Sequence, residues 1–153
     1  MKRSIFLLAF LVLAAGIASA QSASRVTEIL EEKQVTIGEL AYMAGSELNL
    51  IKEGASYDAS LQAAVDTGIL KAGHNASDPA TYAELAFICS KTWKVEKSLF
   101  FKITNSPRYA FKQLQSLGVI SSNADPSQII SGRTALNVIS ACIEKFGAEG
   151  GEE

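Results

Sequence analysis

Two Thr-x-x-Glu spacings, one pair of cysteines, one histidine and one run of basic and aromatic residues carry most of the chemistry this sequence can offer. Thr36 with Glu39 and Thr81 with Glu84 have the spacing of a capping box, in which hydroxyl and carboxylate reciprocally satisfy backbone donors at a helix start. This role accounts for all four residues without invoking a ligand. From Lys91 to Lys112 the basic residues are Lys91, Lys94, Lys97, Lys102, Arg108 and Lys112, against the single acid Glu96, with Trp93, Phe100, Phe101, Tyr109 and Phe111 interleaved. Such a stretch suits an anionic polymer, a sugar stacked on an aromatic ring or a lipid headgroup, and equally a solvated helix face whose aromatics fill a core. The candidate binding residues are therefore Lys91, Trp93, Lys94, Lys97, Lys102 and Arg108, with Arg133 further along.

Catalytic and metal chemistry lacks a comparable pattern. One His and two Cys cannot complete a tetrahedral zinc site without carboxylates, and neither CxxC nor HExxH spacing occurs. His74 lies in a polar loop where solvent exposure is expected, with no nucleophile motif to pair with it. Glu31 and Glu32 are adjacent and point apart on a helix, which gives no support to a glycosidase. Asn75-Ala76-Ser77 has the form of a glycosylation sequon, read as chance beside a bacterial-type leader. The expectation is a non-enzyme with neither cofactor nor metal. Cys89 and Cys142 leave two readings open: a disulfide, or two buried reduced thiols acting as small apolar residues.

The 153 residues carry 14 Lys+Arg and 16 Asp+Glu, a balance too even for nucleic-acid binding driven by counterion release. Met1-Lys2-Arg3, the apolar run Ile5 to Ala15 and Ala18-Ser19-Ala20 together form a Sec-type signal peptide over residues 1–20. Its removal takes away two basic residues and leaves a net charge of -4. An exported protein of the periplasm or cell surface is expected, with no membrane-spanning segment after cleavage. The domain is expected over 21–146, and 147–153 reads as a disordered acidic tail.

The elements that must position these residues recur along the chain. Val35 to Ala44 matches Ala80 to Cys89 at an offset of 45, and a degraded third copy runs from Ile130 to Ile139, a further 50 along. Between the copies, Ala59 to Leu70 parallels Tyr109 to Ile120 at an offset of 50. Behind each box, apolar residues recur at helical spacing: Leu40, Met43, Ala44 and Leu48, then Leu85, Ile88 and Cys89, then Ala135, Val138, Ile139, Cys142 and Ile143. The intervening helices stop at Gly68 and Gly118, residues suited to a left-handed C-terminal cap. Ser106-Pro107 predicts an N-cap with proline in the first turn, and Ser24 to Lys33 a leading helix with Val26, Ile29 and Leu30 on one face. The fold class expected is all-α, tandem helix–loop–helix repeats packed into one compact domain.

Gly68-Ile69-Leu70 followed by Thr81-Tyr82-Ala83-Glu84, and Gly118-Val119-Ile120 followed by Ser131-Gly132-Arg133-Thr134, resemble the S-layer-homology (SLH) family of tandem repeats, with Thr36-Ile37-Gly38-Glu39 as the opening copy. The resemblance covers roughly residues 34–146. It implies an extracytoplasmic helical module that holds proteins to the cell envelope by binding wall polymers or peptidoglycan. The family's polymer-contacting Arg is replaced by Ile37, Tyr82 and Gly132, and Arg133 stands one place late. The function expected is a non-catalytic module docking on a wall polymer or an envelope protein. The alternative is a structural module for protein–protein interaction or oligomerisation that binds no glycan.

Overall fold

The computed structural model describes residues 24–95 and 105–147; the signal-peptide expectation for 1–20 falls outside these residues, as does the acidic-tail expectation for 147–153 apart from Gly147. Among the described residues there are six helices and no strand: α1 over 24–31, α2 Ile37–Glu47, α3 Tyr57–Asp66, α4 Tyr82–Thr92, α5 Pro107–Ser116 and α6 Gly132–Phe146. Helix α2 packs on α3 and α4 on α5, while α4 also lies against both α2 and α6. One core joins them, with Ile29, Val35, Leu40, Leu85, Leu114, Ile130 and Cys142 all essentially out of solvent. The architecture is all-α and compact.

The starts of α2, α4 and α6 meet in a closed cycle of backbone hydrogen bonds. The Ala80 amide donates to the Val35 carbonyl (2.8 Å), the Ile130 amide to the Ala80 carbonyl (3.1 Å), and the Val35 amide to the Ile130 carbonyl (2.9 Å). Each of these residues immediately precedes an N-cap: Thr36, Thr81 or Ser131. The three residues are almost fully buried, so the cycle satisfies polar groups that water cannot reach.

The same region settles the donors that every helix start leaves unpaired. In α2, Ile37 and Gly38 donate to the carbonyls of Asp78 and Ala76, Glu39 to the Thr36 hydroxyl, and Leu40 to the Thr36 carbonyl. In α4, Tyr82 and Ala83 donate to the carbonyls of Gln128 and Pro126, Glu84 to the Thr81 hydroxyl, and Leu85 to the Thr81 carbonyl. In α6, Gly132 donates to the Glu32 carbonyl, Thr134 to the Ser131 hydroxyl, and Ala135 to the Ser131 carbonyl. The Glu39 and Glu84 carboxylates return the interaction, each accepting from its threonine amide at 2.7 Å. Thr81→Ala removes the hydroxyl from one such box, and an unfolding midpoint in denaturant should register a loss of about 1 kcal/mol.

Helix ends follow a second shared rule. Gly68 and Gly118 take positive φ (74° and 73°) just beyond α3 and α5, and the next amide reaches back to Ala64 or Leu114. The same left-handed cap closes α2 and α4, but the residues there are Asn49 (φ 54°) and Lys94 (φ 49°). Ile69, Leu70 and Ile120 then turn into the core.

As expected, Ser106 is the N-cap of α5 with Pro107 at the first turn; the cap is made through the Ser106 carbonyl, and the hydroxyl makes no capping bond. Two other sequence expectations need correction. Helix α1 buries Ile29 alone, leaving Val26 40% and Leu30 37% exposed, so the apolar face the pattern suggests is covered only in part. In the same way Leu48 and Ile143 sit on the apolar repeat of α2 and α6 yet lie on the exposed face.

Candidate functional site

The described part of the basic, aromatic stretch is built on the last turn of α4. Lys91 is half-buried and holds its ammonium 5.8 Å from the Phe87 ring centroid, and Lys71, which the sequence pattern does not single out, approaches the same ring at 5.8 Å. Trp93 is the C-cap residue, its amide donating to the Cys89 carbonyl and its side chain half-buried against the core. Lys94 follows, exposed and in the left-handed region, where a side-chain-bearing residue costs about 1 kcal/mol relative to glycine. Val95 then returns to the interior, its carbonyl accepting from the Gln113 side chain at 2.6 Å, which ties this corner to α5.

Of the other expected members, Arg108 lies exposed in the first turn of α5, where no acid offsets the positive end of the helix. Lys97 and Lys102, with Phe100 and Phe101, lie outside the described residues. The aromatics divide between two jobs: Phe111 is a core residue, edge-on to Tyr82, and Tyr109 remains exposed. Arg133 does not join this corner. It sits exposed in the first turn of α6, beside the hydrogen-bond cycle, whereas Lys94 lies beyond the far end of α4. The eleven residues of α4 make ten steps of helical rise, which places its two ends about 15 Å apart.

The remaining candidates resolve into structural roles. The Thr36, Glu39, Thr81 and Glu84 side chains are occupied by their boxes. His74 is less exposed than its polar loop implies: Nδ1 lies 3.7 Å from Glu84 Oε1, on the oxygen that the box leaves unused. Asp78 and Asp125, ahead of their prolines, organise loops. Asn75 donates to Asp78 from backbone and side chain, Ser127 donates to Asp125 from hydroxyl and amide, and each set holds the carboxyl below its usual range.

Sequence reasoning misses Arg25. Its guanidinium lies 4.9 Å from the Tyr42 ring and 5.3 Å from the Tyr57 ring, and it donates to the Ala55 carbonyl at 2.7 Å, pinning α1 onto α2 and α3. No local pattern signals this contact, since the partners are brought in by tertiary packing. Among the described residues no three His, Cys, Asp or Glu side chains form a metal-holding group, and no helix is long and apolar enough to cross a membrane.

Neither a protein-family model nor a curated protein matches the chain.

Proposed function

We propose that this chain is an exported, non-catalytic module of the cell envelope, built from three divergent SLH-like repeats and docking on a wall polymer or an envelope protein. The repeat reading is supported by the cycle of Val35, Ala80 and Ile130, residues that hold equivalent places before three N-caps. Docking on an anionic polymer is supported above all by Lys94. A strained left-handed position that would be relaxed by glycine carries instead an exposed cation, directly beside the half-buried Trp93. Backbone strain retained at a basic residue is most readily explained by a use for its charge. A half-buried Trp93 next to the exposed Lys94 fits a negatively charged saccharide, the indole stacking on sugar C–H groups while the ammonium answers the anion.

The test is co-sedimentation with purified peptidoglycan sacculi carrying their attached anionic polymers. Retention that falls at least tenfold in the Lys94→Glu, Lys97→Glu, Lys102→Glu variant, and weakens with added salt, supports the reading. Lys94→Gly should separate stability from binding, raising unfolding free energy by about 1 kcal/mol while weakening retention. No retention by the unaltered chain, with stoichiometric recovery of an envelope protein in its place, would sink the polymer and leave the protein-docking alternative.

A further inference from the structure

Cys89 and Cys142 come from α4 and α6, and the hydrogen-bond cycle sets both helices at a common level. The bond between Ile130 and Ala80 aligns their starts, with Cys89 eight residues beyond Thr81 and Cys142 eleven beyond Ser131. At the rise of an α-helix these positions differ in height by about 4.5 Å, within the offset that crossing helices absorb. Both cysteines are free thiols in this structure, neither has exposed surface, and Cys142 lies close enough to act on the Cys89 thiol. Fifty-three residues separate them along the chain.

We propose that Cys89 and Cys142 close an intramolecular disulfide that staples α4 to α6 inside the core. The cysteines need an oxidant, and a low-molecular-weight or protein disulfide supplies it. One cysteine thiolate attacks a sulfur of that disulfide and expels one thiolate. The second cysteine thiolate then attacks the mixed disulfide, forms the Sγ–Sγ bond and releases the other thiolate. Two thiols are oxidised to one disulfide and the reagent disulfide is reduced to two thiols, the protons given up by the two cysteines ending on the two thiolates released. Bridging happens while the chain is still open. In the folded state the pair is out of reach of any oxidant, and burial together with the Cys142 contact pushes the Cys89 thiol well above its ordinary range, suppressing the thiolate that exchange requires. The pair is accordingly a permanent staple and not a reversible redox switch. Formation in the cell rests on the export reading above, because an oxidising compartment is needed.

Two preparations separate the pairing from the export. The reduced, denatured chain is refolded in a glutathione redox buffer, and the chain is also recovered from its native host without reductant. Both are alkylated in denaturant and weighed. The refolded monomer should have lost two hydrogens and take up no label. Its unfolding midpoint should fall by about 10 °C on reduction, a dependence that the Cys89→Ala, Cys142→Ala variant lacks. A helical refolded monomer that still takes two labels overturns the pairing, and so does native chain whose cysteines are bridged only to other molecules. A bridge in the refolded chain with two free thiols in the native one keeps the pairing and overturns the export reading.

Discussion

Gly132→Ala should cost about 3 kcal/mol of folding free energy, the upper range for adding one carbon to a packed site. A Cβ at this position would overlap the Ile29 carbonyl oxygen and lie 2.6 Å from its carbon, with the Leu30 amide 3.3 Å away. All three obstacles are backbone, so no side-chain rotation can relieve them. The Gly132 amide also donates to Glu32, and any retreat of α1 from α6 breaks that bond as well. The expected result is an α1 that no longer docks, seen as faster hydrogen exchange at Ile29 and Glu32 and a lower unfolding midpoint in urea. Gly68→Ala is the calibrating variant. Nothing lies within 4 Å of its Cβ position, so only the positive φ opposes it and the cost should be about 1 kcal/mol. Equal losses at the two glycines would contradict the close approach of α1 to α6.

Ala80→Pro should be as damaging for a different reason. Proline removes the amide that donates to Val35, leaves a buried carbonyl without its donor, and places ring atoms where Ala80 has no exposed surface. About 3–4 kcal/mol is expected from the lost hydrogen bond and the overpacking together. Ala80→Gly retains the amide and should cost only about 1 kcal/mol, so the difference between the two variants isolates the cycle. A urea titration followed by far-UV circular dichroism reads both. If proline proved no worse than glycine, the cycle would contribute nothing to stability.

Much of this fold is legible in the sequence because its rules are local. Thr36-x-x-Glu39 and Thr81-x-x-Glu84 mark helix starts through bonds made within four residues, and Gly68 and Gly118 mark stops through a backbone conformation that other residues resist. The apolar spacing of Leu85, Ile88 and Cys89 points to a buried face because a helix presents those positions together. What is not legible is set by partners distant along the chain. The packing of Arg25 on the edge-on pair Tyr42 and Tyr57, the approach of Lys71 to Phe87 and the contact of His74 with Glu84 each depend on how segments meet. Exposure of Val26 and Ile143 follows from the same cause, since a stripe predicts a buried face only where another element is present to cover it. In the candidate site, the cluster of cations is visible in the sequence. The left-handed cap at Lys94 and the separation of Arg133 from it are not, because both depend on where helices end and begin in space.

The cycle at the helix starts has a topological consequence. Its three bonds join residue 35 to 80, 80 to 130, and 130 back to 35, so the last link unites segments 95 residues apart. An open solenoid exposes a surface at each end onto which another unit can stack, and its length is arbitrary. A closed arrangement has no such ends. The number of helix starts is fixed at the value that completes the circuit, and a chain shortened before Ile130 would leave both Val35 and Ala80 with vacant backbone groups. During synthesis the circuit stays broken until that last segment emerges. Helix pairs such as α2 with α3 can form earlier, but the circuit that joins them closes only once nearly the whole domain is present.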